Sequence, residues 1–190
     1  MNDKLTVQEK QKLLRLARVS MERTVYDKSA PDIDLDQCSA RLRENGASFV
    51  TLTISGALRG CIGTLEAYQP LVQDVCEHAI AAATSDYRFP PVIADEVYQI
   101  RIEISRLSVP VVIKYRDPAE LLGLIEPGVD GIVIRDLDRR ATFLPQVWEK
   151  IPDAEHFLTQ LCIKMGAPSN LWRMQDLRIF TYQVEEFCEE

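Results

Sequence analysis

The feature that most constrains the fold lies between Phe49 and Gly63. Phe49-Val50-Thr51-Leu52-Thr53-Ile54 alternates apolar and polar residues, Ser55-Gly56-Ala57 follows, and Leu58-Arg59-Gly60-Cys61-Ile62-Gly63 comes next. Two extended segments joined by so short a glycine-containing link read as a β-hairpin. Side chains alternate along a strand, so Arg59 and Cys61 are expected on one face. A hairpin closed by a two-residue turn would set Val50 opposite Cys61 and Leu52 opposite Arg59. Gly60 and Gly63 remove bulk around the sulfur and leave backbone N–H groups approachable. A guanidinium held two residues away would favour the reactive thiolate.

The rest of the chain supplies helices and further hairpins. Thr6-Val7-Gln8-Glu9 has capping-box spacing, and Leu13, Leu16 and Ala17 continue at helical intervals, which predicts a first helix of about twenty residues. Pro31 and the acidic stretch 32–36 mark an exposed loop. Pro70 opens a second helix with the stripe Leu71, Val75, Ala79 and Ile80, and Pro90-Pro91 ends its continuation. Ile100, Ile102 and Ile104 alternate with Arg101, Glu103 and Ser105 as a strand with one apolar face. Val111-Val112-Ile113 is extended, and Asp117-Pro118 opens a short helix. Residues 132–135 and 141–144 form a second hairpin linked by a charged segment, 136–140. A helix from Pro152 or Asp153 carries Phe157, Leu158, Leu161 and Met165, and a last strand covers 179–184. Antiparallel strands set apart from helices indicate an α+β fold, a mostly antiparallel sheet flanked by helices. No internal repeat or linker divides residues 1–190.

Several blocks carry a family resemblance. The hexapeptide 58–63 resembles the signature of the AMMECR-type domain family. Ala81-Ala82-Ala83-Thr84-Ser85-Asp86-Tyr87-Arg88-Phe89-Pro90-Pro91 is similar to its second block, and Ile102-Glu103-Ile104-Ser105-Arg106-Leu107-Ser108 to a third. Gly128-Val129-Asp130-Gly131-Ile132 and Ala141-Thr142-Phe143-Leu144-Pro145-Gln146-Val147-Trp148 resemble two more, so the likeness runs in order from Phe49 to Phe180. Ser55-Gly56-Ala57 replaces a more charged turn, and Ala141 stands where many relatives carry glycine. The resemblance implies a smaller second lobe, with the signature hairpin near a cleft between the two. It also implies Memo-like or radical-SAM proteins as partners, because family members are encoded beside or fused with them.

Composition excludes several function classes. A net charge of −7 with 27% charged residues does not suit a surface that coats nucleic acid. Arg135, Arg139 and Arg140 form the nearest basic cluster, and Asp136 and Asp138 interrupt it. Aromatic residues make up only 7% and are not interleaved with basic ones as a stacking platform. The five cysteines are odd in number and contain no C-x-x-C pair, which fits neither a zinc knuckle nor a thioredoxin motif and suits a reducing cytoplasm. No metal ligand set, Gly-rich phosphate loop or dinucleotide fingerprint is present, and the motifs leave the cofactor unassigned. No apolar run reaches membrane-spanning length, so a cytoplasmic location is expected.

The site candidates follow. Cys61 and Arg59 carry the chemistry if the thiol is ligand-facing; a buried filler between glycines is the plain alternative. Gly60 and Gly63 would offer amides to a ligand oxygen. Asp86 and Arg88, on a loop stiffened by Pro90-Pro91, would shape the site or simply pair with each other. Glu103 would line it from the neighbouring strand, and Gln146 would add a polar contact. His78, one turn after Asp74 and off the apolar stripe, reads as half of a surface ion pair. His156 also sits off its stripe. The expectation is an enzyme or enzyme component that binds a small or anionic ligand at the Arg59-Gly60-Cys61 hairpin. A non-catalytic protein adaptor and, more weakly, an RNA-contacting factor stay open.

Overall fold

The computed structural model describes residues 4–190. The chain forms two compact units: one runs up to Leu107 and takes in Glu185–Glu190, and the other is Ser108–Val184. In order, the elements are α1 (Val7–Val25), α2 (Ala40–Arg43), β1 (Asn45–Ile54), β2 (Ala57–Gly63), β3 (Gln69–Pro70), α3 (Leu71–Thr84), β4 (Ile100–Leu107), β5 (Val111–Ile113), α4 (Pro118–Leu124), β6 (Gly131–Asp136), β7 (Arg139–Phe143), α5 (Ala154–Lys164), α6 (Leu171–Met174), β8 (Arg178–Tyr182) and β9 (Val184–Cys188).

The α+β expectation holds. In the first unit the strand order is β2-β1-β4-β9, with β3 also pairing β1; β1 runs antiparallel to β2, β3 and β4. One face of this sheet is closed by helices. Val50, Leu52, Ile102 and Ile104 are buried in one cluster with Leu13, Ala17 and Met21 of α1 and Val72, Val75, Ala79 and Ala82 of α3. The capping box at Thr6 and Glu9 forms, which fixes where α1 starts. The opposite face of the sheet carries Phe49, Thr51, Cys61, Glu103 and Ser105.

The second unit orders its strands β5-β8-β6-β7. Ile132, Ile134 and Ile179 pack on Phe157, Leu158 and Leu161 of α5. Trp148 is buried, stacked 3.7 Å from the Phe157 ring, and its indole N–H donates to the Asp130 carbonyl.

Three local expectations need correction. The final extended stretch is two strands in different sheets, β8 and β9, so the chain leaves the second unit and finishes in the first. The second hairpin turns on Leu137-Asp138 alone, because Asp136 pairs with Arg139 and Arg135 with Arg140. Asp74 and His78 are buried: the Asp74 side chain accepts from Ser48 at 2.6 Å and meets His78 Nδ1 at 3.2 Å. Helix wheels alone cannot show this, since the pair faces the one polar position, Ser48, on the helix-covered side of β1.

Candidate functional site

The hairpin closes through a two-residue turn, with Ile54 opposite Ala57 and positive φ at both Ser55 (51°) and Gly56 (81°). That is the turn geometry whose twist matches the flanking strands. The register then slips. Thr53 pairs with Leu58, but Leu52 pairs with Gly60, so Arg59 is an extra residue in a β-bulge. Cys61 therefore lies opposite Thr51, not Val50, and the expected register is corrected by one residue.

Packing explains the bulge and its glycine. Gly60 faces α3, and a Cβ there would collide with the Ala82 carbonyl oxygen. A Cβ on Gly63 would collide with the Phe49 ring and the Ser48 carbonyl. Both glycines serve close approach of neighbouring groups, rather than opening the backbone to a ligand.

Arg59 is fully engaged in holding a loop. Its Nε and Nη2 each donate to Glu96 at 2.8 Å, Nη1 donates to the Pro90 carbonyl at 2.9 Å, and Nη2 to that of Pro91 at 3.3 Å. The pairing raises the Arg59 pKa and lowers that of Glu96, each chiefly through the side-chain hydrogen bond between them. Phe89 lies with its ring centre 6.0 Å from the Arg59 guanidinium and 5.6 Å from that of Arg88. Arg59 thus latches the 86–91 loop to the bulge, and its charge is answered by Glu96.

The residues that touch Cys61 are Asp86 and Arg88. β2 is an edge strand, and at Cys61 its free backbone groups meet this pair. The Cys61 N–H donates to Asp86 Oδ2 at 2.8 Å, and Arg88 Nη2 donates to the Cys61 carbonyl at 3.2 Å. Asp86 and Arg88 also bond each other, at 2.9 and 2.6 Å. The buried Asp86 carboxyl is held well below the usual carboxylate range, first by the Arg88 guanidinium and then by the two backbone N–H donors. The edge is closed as another strand would close it. The Cys61 amide is therefore occupied and does not serve as an oxyanion donor.

The sulfur itself stays half-buried on the helix-free face. Thr51 Oγ1 donates to it at 3.3 Å. Because Glu103 is also directly opposite Thr51, the three side chains Cys61, Thr51 and Glu103 form one cross-strand row. The Phe49 ring over Gly63 borders that row.

Arg59, Gly60, Cys61, Gly63, Asp86, Arg88 and Glu103 thus all gather at the β2 edge and outer sheet face of the first unit. Gln146 belongs to the second unit, where it lines a groove of about 330 Å³ with Pro127, Pro145, Trp148 and Pro152. Thr51 and Glu96 were missed in the sequence. Thr51 is brought opposite the sulfur by a bulge with no composition signal, and Glu96 is 37 residues from its partner. The other cysteines differ. Cys38, Cys76 and Cys162 are buried, and burial pushes the Cys76 and Cys162 thiols up. Cys188 is exposed and accepts from Arg101 Nη2 at 3.1 Å. Among the described residues no three His, Cys, Asp or Glu side chains converge as metal ligands, and no helix is long and apolar enough to cross a membrane.

The chain matches the AMMECR1 family model over residues 14–187. It is 38% identical to protein MK0488 of Methanopyrus kandleri, covering 100% of this chain and 93% of that one. A Methanothermobacter thermautotrophicus protein is 35% identical, covering 98% and 97%. The crystal structure of uncharacterized protein PH0010 from Pyrococcus horikoshii superposes with a TM-score of 0.78 at 32% identity, covering 98% of this chain and 94% of that one.

Proposed function

The chain belongs to the AMMECR1 family, and we propose that it is a cytoplasmic enzyme, or a component of one, that uses the Cys61 thiol on a small ligand. The ligand would lie on the helix-free sheet face, with Cys61 contacting or attacking it. Glu103 and the outward edge of Arg88 would supply the polar contacts, and Phe49 the apolar wall. Arg59 and Asp86 act at one remove, by fixing the loop and the Cys61 backbone. A Memo-like or radical-SAM protein is the proposed partner, through the family resemblance.

One observation carries this reading: both backbone groups of Cys61 are tied by a single loop ion pair, while its half-buried side chain accepts from a hydroxyl. Holding a thiol so rigidly at an open face is the preorganisation that thiol chemistry needs. Competitive alkylation of the folded protein by iodoacetamide tests it. Cys61 is expected to label faster than Cys188, despite the greater exposure of Cys188, and far faster than the three buried thiols. Labelling of Cys61 no faster than Cys188 would remove the thiol-dependent reading.

The adaptor reading has one observation in its favour: Tyr87, on the same loop, is 95% exposed. It predicts that Tyr87→Ala abolishes partner capture while Cys61→Ala does not.

A further inference from the structure

Glu103 has no assigned partner. It is half-buried on the outer face of β4, and among the described residues it makes no hydrogen bond or ion pair. The cation nearest along its own strand face, Arg101, is turned to the Glu189 carbonyl at 2.7 Å and to the Cys188 sulfur. Arg88, at the far edge of the row, is taken up by Asp86. A half-buried carboxylate without a partner adds no pairing energy to the fold.

Its place in the row suggests what it does. Thr51 lies directly between Glu103 and Cys61, and its hydroxyl already touches the sulfur at 3.3 Å. Directly opposed residues have Cβ atoms roughly 4.5–5.5 Å apart, so the glutamate's two further carbons can bring its carboxylate to the Thr51 hydroxyl by a rotamer change. The histidines do not compete for this role on the row. His78 is on the helix-covered side of the sheet, bonded to Asp74, and the His156 ring nitrogen Nε2 meets Gln160 at 3.1 Å within α5 of the second unit.

We infer that Glu103 is the proton acceptor for Cys61, acting through the hydroxyl of Thr51. The inference rests on the reading of Cys61 as a working thiol. As sulfur attacks a saturated carbon bearing a leaving group, the new S–C bond forms and the carbon–leaving-group bond breaks. The leaving group departs with the bonding pair. The Thr51 hydroxyl, which donates to the sulfur at rest, first turns its proton toward Glu103. The thiol proton then passes to Thr51 Oγ1 while the Thr51 proton passes to the Glu103 carboxylate, so the hydroxyl ends neutral and the carboxylic acid carries the proton. Glu103 acts on the sulfur only through Thr51 in this scheme; Thr51 is the group in contact with the reacting atom.

The test measures the second-order rate of Cys61 alkylation by iodoacetamide in the intact chain, read peptide by peptide. Glu103→Gln and Thr51→Val are each expected to slow Cys61 by ~10-fold or more, the low end of general-base effects. The double variant should be no slower than either single one, and Thr51→Ser should restore the rate. The unmodified protein should show a normal solvent isotope effect on Cys61 labelling that both slow variants lose. Continued protection of Cys38, Cys76 and Cys162 shows that each variant is folded. A carboxylate acting only through its charge would repel a thiolate, so an unchanged or faster Cys61 in Glu103→Gln overturns the inference while leaving the thiol reading intact. A Cys61 that is already slow in the unmodified chain overturns the thiol reading itself, and this inference falls with it.

Discussion

Two hairpins of similar size behave differently in this chain. Both turn on two residues, and both end in an edge strand, β2 in one sheet and β7 in the other. β6 and β7 stay in register from end to end, and the Thr142 carbonyl of β7 accepts a single lysine, Lys164 Nζ at 2.9 Å. β2 breaks register at Arg59, is approached by the backbone of α3 at Gly60, and has both backbone groups of Cys61 bound by Asp86 and Arg88. The regular hairpin keeps its register although Lys164, the Gly166 carbonyl and Gln175 also reach it from outside the sheet. The irregular one is defined by three contacts from outside its sheet, and that is where the thiol sits.

If those outside contacts matter, damage to them should exceed damage to the regular hairpin. The largest effect is expected at Gly60. Gly60→Ala must push β2 away from the Ala82 carbonyl and should cost on the order of 3 kcal/mol, measured by urea unfolding. In β7, Arg140→Thr should stay within about 0.5 kcal/mol, because Arg140 is solvent-exposed on an edge strand. Equal losses at the two positions would break the comparison.

Next is Asp86. Asp86→Ala leaves the Cys61 N–H without its acceptor and Arg88 without its carboxylate, and should cost about 2 kcal/mol. The sign with pH follows from the lowered carboxyl. Its stabilisation is fully present above the ordinary carboxylate range and is lost as pH falls below about 4 toward the depressed folded value. Asp86→Asn should therefore flatten the acid side of the stability curve; an unchanged acid limb would show that the Asp86 carboxylate is not held by this pair.

The smallest effects belong to the turns. Ser55 and Leu137 both have φ of 51°, a region that disfavours leucine more than asparagine. Ser55→Asn and Leu137→Asn should each stabilise by roughly 0.5 kcal/mol, with more from the leucine. Thermal melts of the two variants would check both sign and order.

The sequence made the strand-turn-strand pattern legible because alternation and a Ser-Gly turn are local signals. It made α1 legible because Thr6 and Glu9 are three residues apart. It placed Cys61, Asp86 and Arg88 among the site residues but assigned the charge beside the sulfur to Arg59. The bulge was the reason. Nothing in Leu58-Arg59-Gly60 announces that one residue drops out of pairing, because the cause is the α3 backbone, brought in by residues some twenty positions later. The Asp74–His78 pair was placed at the surface for a related reason: helix spacing shows that the two meet, and says nothing of the Ser48 hydroxyl waiting beneath them.

Everything about the thiol depends on the slip at Arg59, and cross-strand disulfide capture reads that slip directly. Directly opposed side chains bring Cβ atoms close enough for an S–S bond, whereas neighbours on opposite faces do not. Thr51→Cys should form a disulfide with Cys61 under mild oxidation, and Val50→Cys, whose side chain points into the helix-covered core, should not. Ready bridging from position 50 with none from position 51 would restore the unbulged register and contradict the site described here.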